Sequence, residues 1–202
     1  MTWVKICGIT TPEAIRSAER AGADALGFVL APGSVRTLSV EAARTLVGSA
    51  SISTYAVVVD MTPGDALHLA NEIGVTGIQA HGLHALDTAR AAVEAGLDVL
   101  CPIPVGRAGP TVDPAAVVPE AVILFDTERR RGHGGSGKPF AWDTVADVER
   151  PYVVAGGLGP DNVREVIDRL DPFGVDASSR LEAIPGIKDP DTIRVFVEEA
   201  KR

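Results

Sequence analysis

The sequence predicts an α/β protein folded as a single, compact (β/α)8 barrel over residues 1–202, with a shortened or irregular helix after the fifth strand. Eight short apolar runs alternate with amphipathic helical patterns from end to end. The chain provides about 25 residues per unit, near the minimum for a strand, a helix and two turns. Polar residues suited to chemistry follow many of the runs, whereas an open doubly wound sheet, the second alternative, would gather them at one switch point.

The eight apolar runs predict the barrel strands. Most are continuously apolar rather than alternating, which is typical of strands buried on both faces. Aromatic residues make up only 4% of the chain, so small aliphatic side chains must do most of the packing. The predicted strands are residues 3–7, 25–30, 55–59, 77–80, 99–103, 122–125, 152–155 and 173–175.

Helix-start and helix-stop residues predict the segments between the strands. Pro12 stands at a first-turn position, and Gly22 ends the same segment in the manner of a C-terminal cap. A Pro- and Gly-rich stretch, 102–119, replaces a full helix after strand five and allows at most one turn near 114–118. The predicted helices are residues 12–22, 39–48, 63–73, 84–95, 142–149, 160–170 and 189–201.

Charge and cysteine content narrow the classes of partner. The net charge of −8 argues against nucleic acid and against an anionic membrane surface as partners. It allows a small anionic ligand, because backbone N–H groups at helix N-termini bind phosphate without a basic patch. Two cysteines give no disulfide framework, and we expect no signal peptide and no membrane span, so the predicted location is the cytoplasm.

Three motif matches are rejected on their context. Residues 132–137 satisfy G-x-G-x-x-G, but no strand leads directly into them and no helix starts there. Residues 132–138 satisfy G-x-x-x-x-G-K, yet Pro139 follows where a nucleotide loop needs a hydroxyl. We interpret this segment as a Gly-rich loop and a candidate lid. His81 and His84 have no further ligand cluster beside them, so no metal site is predicted.

Two residues at strand ends are candidates for acid and base chemistry. Cys7 ends the first strand and Asp126 follows the sixth. Catalytic residues of a barrel lie at the carboxyl ends of its strands. The alternatives are a buried core cysteine and an aspartate that caps a turn.

Two small-residue turns late in the chain are candidates for phosphate binding. Ala155-Gly156-Gly157-Leu158 follows strand seven, and Asp176-Ala177-Ser178-Ser179 follows strand eight. Phosphate sites in barrels commonly lie in these two loops, where glycine allows close backbone approach and serine adds a donor. The alternative is two tight turns without a ligand. With Cys7 and Asp126, the turns indicate a phosphosugar enzyme with one acid and one base.

Ordered motifs along the whole chain resemble those of the phosphoribosylanthranilate isomerase family of tryptophan biosynthesis. They begin with Lys5-Ile6-Cys7-Gly8-Ile9-Thr10 and the second-strand region with Arg36. They continue through Gln79, His81 and Gly82, and through Phe125-Asp126-Thr127 with 134–137. The last are residues 155–158 with Asp161-Asn162-Val163, and 174–179 with Glu182, Pro185-Gly186 and Lys188-Asp189.

The resemblance implies an Amadori rearrangement of N-(5-phosphoribosyl)anthranilate to 1-(2-carboxyphenylamino)-1-deoxyribulose 5-phosphate. It implies Asp126 as general acid, Cys7 as general base in its thiolate form, and Arg36 as the partner of the anthranilate carboxylate. It implies no metal and no cofactor, a small phosphosugar substrate, and a monomer or homodimer. The substrate-binding residues it implies are Arg36, Gln79, His81, Gly156, Gly157, Asp176, Ser178 and Ser179.

Three positions depart from the family pattern. Ala80 stands for the usual Leu, Ala141 for the usual Asp, and Arg180 for the usual Gly. Two other functions stay open. A histidine-pathway isomerase would carry out the same rearrangement with two aspartates and a second phosphate site. A non-catalytic sensor of phosphoribosyl ligands would be a decayed barrel.

Overall fold

Eight parallel strands close into a barrel in the computed structural model, which describes residues 1–127 and 140–202. Each strand pairs with the next, and the eighth pairs with the first through Lys5 and Asp176. The predicted (β/α)8 barrel is confirmed. The barrel strands are β1 Trp3–Cys7, β2 Ala25–Val29, β3 Ser53–Val59, β4 Gly77–His81, β5 Asp98–Gly106, β6 Val122–Thr127, β7 Tyr152–Val154 and β8 Gly174–Ala177.

Helices on the outside of the barrel begin at caps that the sequence provides. The Thr11, Ser39 and Thr62 side chains each accept a hydrogen bond from a backbone N–H in the first turn of the helix that follows. Gly22 ends the first helix in the left-handed conformation, with φ of 88°. The helices are α1 Pro12–Ala21, α2 Val40–Val47, α3 Pro63–Ile73, α4 Ala85–Glu94, α5 Val163–Leu170 and α6 Pro190–Lys201.

The predicted helix at 142–149 is wrong, because only the single 3-10 turn Trp142–Val145 forms there. The chain must reach Pro151, and a residue before proline is driven away from helical geometry. Arg150 holds this extended approach in place by donating hydrogen bonds to backbone carbonyls between Pro114 and Ala121. The predicted single turn near 114–118 is confirmed as Pro114–Ala116.

Several boundaries differ from the prediction at the end of the barrel that carries the candidate residues. Strand β4 runs to His81 and strand β6 to Thr127, so His81 and Asp126 lie within strands rather than after them. Helix α5 begins at Val163 rather than at 160. The side chain of Asn162 instead accepts from the Gly159 N–H and donates to the Gly157 carbonyl. Strand β8 runs to Ala177, so Asp176 lies inside the strand rather than in the turn after it.

Alternate strand residues divide the buried side chains into two layers. Val4 and Ile6 of β1 pack outward in the larger cluster, against the helices. The smaller cluster lies inside the barrel, and it contains Ala25, Tyr55, Leu100, Leu124, Val153 and Ala155. The buried polar side chains Lys5, Gln79 and Asp176 come from β1, β4 and β8, and Lys5 and Gln79 are in register with Ala25 and Leu100 of the cluster. The interior therefore places polar side chains directly beside apolar ones.

A short hairpin lies at the carboxyl ends of the strands, beside Arg36 and Ser178. Its strands are Glu182–Ile184 and Ile187–Lys188, joined by Pro185 and Gly186. Gly186 has φ of 88°, and a Cβ there would stand 3.0 Å from the Val35 carbonyl oxygen. The hairpin therefore lies close to the loop that carries Arg36.

Within the described residues, no helix has the length and apolar character needed to cross a bilayer. The Gly-rich segment 132–138, interpreted above as a loop and candidate lid, lies outside the described residues. So does the family motif at 134–137.

Candidate active site

Cys7 lies at the carboxyl end of β1, with its side chain 8% exposed. Its neighbour on β2 is Gly27, and a Cβ at Gly27 would stand 2.8 Å from the Cys7 Sγ and 3.2 Å from the Lys5 Cε. Lys5 and Cys7 are two residues apart on one strand, so both face the same side of the sheet. The absent side chain of Gly27 provides the space that these two side chains share.

Lys5 is buried completely and forms an ion pair with Asp176 of β8, with 3.0 Å between Nζ and Oδ1. The Lys5 side chain also lies beside Cys7, because its Cε and the Cys7 Sγ border the same space above Gly27. Burial alone lowers the pKa of Lys5, but Asp176 and Cys7 outweigh it and raise the pKa above its ordinary value. An ammonium group is therefore held beside Cys7 inside the barrel.

The pKa of the Cys7 thiol is raised, and burial is the largest cause. The positive charges of Lys5 and Lys188 oppose the increase, and the carboxylate of Asp176 adds to it. A thiolate is the basic form of cysteine. Formation of the Cys7 thiolate therefore depends on the ammonium groups of Lys5 and Lys188.

Arg36 and Glu182 form a bidentate ion pair next to Cys7, with N–O distances of 2.6 and 2.7 Å. Glu182 also accepts from Lys188 at 2.9 Å and from the Gly186 N–H at 3.0 Å. Burial by itself raises the pKa of Glu182, but the hydrogen bonds from Arg36 and Lys188 outweigh it and lower the pKa below its usual range. Arg36 uses Nε and Nη2 in this pair, so that, among the described residues, Nη1 is the nitrogen left for a ligand.

Gly8 allows Arg36 to reach this position. It has φ of 77°, and a Cβ there would stand 2.5 Å from the Arg36 Cδ and 3.0 Å from the Ser178 Oγ. Any larger residue would push both side chains away from the end of β1. The glycine after the cysteine therefore brings the carboxylate-binding candidate and one serine of the phosphate-binding candidates together.

Asp126 lies on β6, three strands from β1 by way of β7 and β8, and is half-buried. Gly156, in the turn after β7, has φ of 88°. A Cβ on it would stand 2.7 Å from the Asp126 Oδ1. Cys7 and Asp126 thus lie on separate walls of one barrel mouth, where an acid and a base can act on different atoms of one ligand.

The turns after β7 and β8 are adjacent, because these strands pair with each other. Gly156 and Gly157 both adopt the left-handed conformation. The Gly157 carbonyl oxygen accepts hydrogen bonds from the side chains of Asn162 and Arg180, each at 3.1 Å. Arg180 also pairs with Asp161, with 2.8 Å from Nη2 to Oδ2. A positive charge is therefore held over the glycine turn.

Gln79 and His81 face the interior from β4, with 2.9 Å between the Gln79 Nε2 and the His81 Nε2. The Gln79 side chain is 3% exposed. Its Oε1 has no hydrogen-bond partner among the described residues. A buried polar atom of this kind needs a donor, and a ligand hydroxyl in the barrel mouth would supply one.

A family model described as N-(5′-phosphoribosyl)anthranilate isomerase matches residues 4–199. The chain belongs to this family. The phosphoribosylanthranilate isomerase of Rubrobacter xylanophilus is 40% identical over 206 residues, which cover 100% of both proteins. The predicted family is confirmed, and so is the predicted isomerase activity in tryptophan biosynthesis.

Solved phosphoribosylanthranilate isomerases have the same fold. The Thermotoga maritima structure superimposes with a TM-score of 0.87 at 36% identity, covering 100% of this chain and 99% of that one. A second structure, solved in complex with reduced 1-(o-carboxyphenylamino)-1-deoxyribulose 5-phosphate, has a TM-score of 0.83 at 34% identity, with the same coverage. The Thermotoga maritima isomerase is described as dimeric.

The departures from the isomerase pattern differ in where they lie. Ala80 packs in the outer cluster, away from the barrel interior. Ala141 precedes the turn Trp142–Val145 without a side-chain cap, and its carbonyl accepts from the Thr144 hydroxyl at 2.7 Å. Arg180 alone contacts the candidate site.

Sequence reasoning did not assign site roles to Lys5, Glu182 or Lys188. All three residues lie within the isomerase motifs, but only the structure shows that their side chains surround Cys7. The signal for Lys5 is a lysine inside an otherwise apolar strand run, two residues before the cysteine. A buried charge is costly unless it is paired, so this position calls for a carboxylate partner.

Proposed function

We propose that this chain converts N-(5-phosphoribosyl)anthranilate to 1-(2-carboxyphenylamino)-1-deoxyribulose 5-phosphate, with Asp126 as general acid and Cys7 as general base. One observation carries the assignment of roles. Cys7 and Asp126 lie at the carboxyl ends of two strands at the same barrel mouth, and the turns after β7 and β8 lie between them. Family membership supports the reaction, and this geometry supports the residues.

Asp126 acts in the first step, which opens the ribose ring. Its carboxyl proton goes to the ring oxygen, and the electrons of the C1′–O bond move to that oxygen. The lone pair of the anthranilate nitrogen then forms an iminium with C1′. Proton transfer from a positioned carboxyl group typically contributes about 10²–10⁴-fold to such a step.

Cys7 acts in the second step. The thiolate takes the proton from C2′, and the electrons of that C–H bond form the C1′–C2′ double bond while the iminium electrons return to nitrogen. The resulting enol loses its hydroxyl proton, and C1′ gains one, which gives the ketose. The iminium itself accepts the electrons, so these steps balance without a further reagent.

Binding is divided between the two ends of the substrate. Arg36 binds the anthranilate carboxylate through the Nη1 that Glu182 leaves free. Gly156, Gly157, Ser178 and Ser179 hold the phosphate through backbone and hydroxyl donors. The Gln79 Oε1 accepts a hydrogen bond from a ribose hydroxyl.

His81 and Asp176 act through neighbours. His81 orients the Gln79 amide, and Asp176 reaches the site through its ion pair with Lys5. We also propose that the chain is cytoplasmic and forms a monomer or homodimer.

Substrate fluorescence provides the test. The anthranilate of the substrate fluoresces, so loss of the signal on adding the protein measures turnover directly. Turnover of this substrate above the spontaneous rate is expected, with little or none of the bis-phosphorylated histidine-pathway substrate. No rate above background would favour the sensor. Turnover of only the histidine intermediate would overturn the assignment.

A further inference from the structure

We propose that Lys5 is the positioning residue that stabilises the thiolate of Cys7, and that Asp176 sets how strongly it does so. This inference rests on the proposed function, in which Cys7 is the base. The supporting geometry is a row of three side chains across two neighbouring strands. Cys7 and Lys5 share one face of β1, and Asp176 is the register partner of Lys5 on β8.

The positive charge of Lys5 is buried, so the groups next to it must balance that charge. Its side chain is buried completely, its Nζ donates to Asp176, and its Cε borders the same space above Gly27 as the Cys7 Sγ. Gly27 leaves room for the lysine chain and the sulfur together. A buried ammonium needs a counter-ion. Asp176 provides it in the resting site, and the thiolate provides a second one when Cys7 loses its proton.

Charged groups from four segments face Cys7 or contact those that do. The Lys188 ammonium also acts on Cys7, but it is already hydrogen-bonded to Glu182 and to the Ser178 carbonyl. The Arg36 guanidinium likewise forms an ion pair with Glu182. Lys5 is the ammonium that shares the space above Gly27 with the Cys7 sulfur, and its charge lowers the pKa of Cys7 more than the charge of Lys188 does. In the part of the chain that the structure describes, these groups are Lys5 on β1, Asp176 on β8, Arg36 before α2, and Glu182 and Lys188 in the hairpin.

Opposite effects of the two ion-pair partners distinguish this role from a structural one. Lys5→Met removes the positive charge from Cys7, so the thiolate becomes less stable. Asp176→Asn keeps the shape and removes a negative charge, so the thiolate becomes more stable. The observed midpoint belongs to the coupled cluster, and the two substitutions must move it in opposite directions. Loss of packing alone gives no such pair of signs.

The experiment measures alkylation of Cys7 by iodoacetamide across pH, in a Cys101→Ala background. The thiolate sulfur forms a bond to carbon and iodide leaves, so the rate follows the thiolate fraction. We expect Lys5→Met to slow alkylation at pH 8 by about tenfold or more, which is one pKa unit. We expect Asp176→Asn to accelerate it and to lower the pH midpoint.

Matched controls separate this result from a general effect of removing an ion pair. Lys201→Met removes the partly exposed Lys201–Asp24 pair, which lies at the amino-terminal end of β1, where Asp24 accepts from the Val4 N–H, and it should leave the midpoint unchanged. A Cys7→Ser variant shows that the labelled residue is Cys7. Circular dichroism checks the fold of each variant. If Lys5→Met does not fold, Asp176→Asn decides, and an unchanged or higher midpoint overturns the proposal.

The test also separates this inference from the proposed function, because alkylation needs no substrate. If the wild-type enzyme turns over substrate but neither substitution moves the alkylation midpoint, the role of Lys5 alone is overturned. Opposite shifts in a protein without turnover would support the Lys5 pairing and contradict the function. With both correct, Lys5→Met lowers kcat much more than it changes KM.

Discussion

Arg36 and Glu182 form a side-on bidentate pair, in which Nε and Nη2 of the guanidinium donate to the two carboxylate oxygens at 2.6 and 2.7 Å. The two residues are 146 positions apart in the chain. Glu182 comes from the hairpin after β8, whereas Arg36 comes from the loop after β2. This pair fixes the plane of the guanidinium at the barrel mouth, so one edge is held by the protein and another is available to a planar anion.

Arg36→Met should raise KM and leave kcat nearly unchanged. A hydrogen bond to a charged group contributes roughly 1.5–3 kcal/mol, which corresponds to a ten- to hundredfold rise. Steady-state fluorescence kinetics measure both constants. Arg44→Met is the matched control, since Arg44 pairs with Glu72 on the exposed helical surface. An unchanged KM for Arg36→Met would place the substrate carboxylate elsewhere.

Cys7→Ser and Asp126→Asn should each lower kcat by about 10²–10⁴-fold with smaller effects on KM. Serine is far too weakly acidic to replace a thiolate, and asparagine has no acidic proton to transfer to the ring oxygen. Cys101→Ala tests whether loss of any cysteine matters, because Cys101 packs in the outer cluster away from the barrel interior. If Cys7→Ser turned over at close to the wild-type rate, Cys7 would not be the base.

The barrel could be predicted from the sequence because its signals are local. Apolar runs, helix caps and the glycine at position 22 each act within a few residues. The helix at 142–149 was predicted wrongly because Arg150 is held by carbonyls of a loop about thirty residues earlier in the chain. The extension of β8 to Ala177 depends on pairing with β1, which also lies far away in sequence.

The candidate site could be predicted only in part. Cys7 and Asp126 can be predicted because each lies at the end of an apolar run, and the small-residue turns because each comes after one. Lys5 is visible in the sequence, but its role depends on the neighbouring Asp176, 171 positions away. The role of Gly27 could not be predicted from the sequence either, because this glycine acts through the space that it leaves for Cys7.

Glu182→Gln should cost stability at neutral pH and lose this effect in acid. The pKa of Glu182 is lowered in the folded protein, so its ionised form stabilises the fold above the unfolded-state pKa. That contribution is lost as the pH falls through the lower, folded-state pKa. Urea unfolding at several pH values should show the largest difference between wild type and variant above about pH 5.

The difference should shrink steadily below pH 4. Glu72→Gln provides the comparison, since that carboxylate pairs with Arg44 at the exposed surface and should show little dependence. A wild-type advantage that stays constant from pH 7 to pH 3 would show that the Glu182 charge contributes nothing.

Arg180→Gly, which restores the family residue, should weaken binding of the phosphate end of the substrate. Arg180 donates to the Gly157 carbonyl and pairs with Asp161, so it adds positive charge beside the glycine turn and fixes its backbone. In a protein of net charge −8, this local charge matters more for an anionic substrate. We expect KM, and the inhibition constant of inorganic phosphate, to rise by about three- to tenfold, with a smaller change in kcat.

Arg164→Ala, which removes a pair with Asp168 on α5, should change neither constant. A fall in KM for Arg180→Gly would mean that the guanidinium crowds the phosphate, because the substrate would then bind better once the side chain is gone.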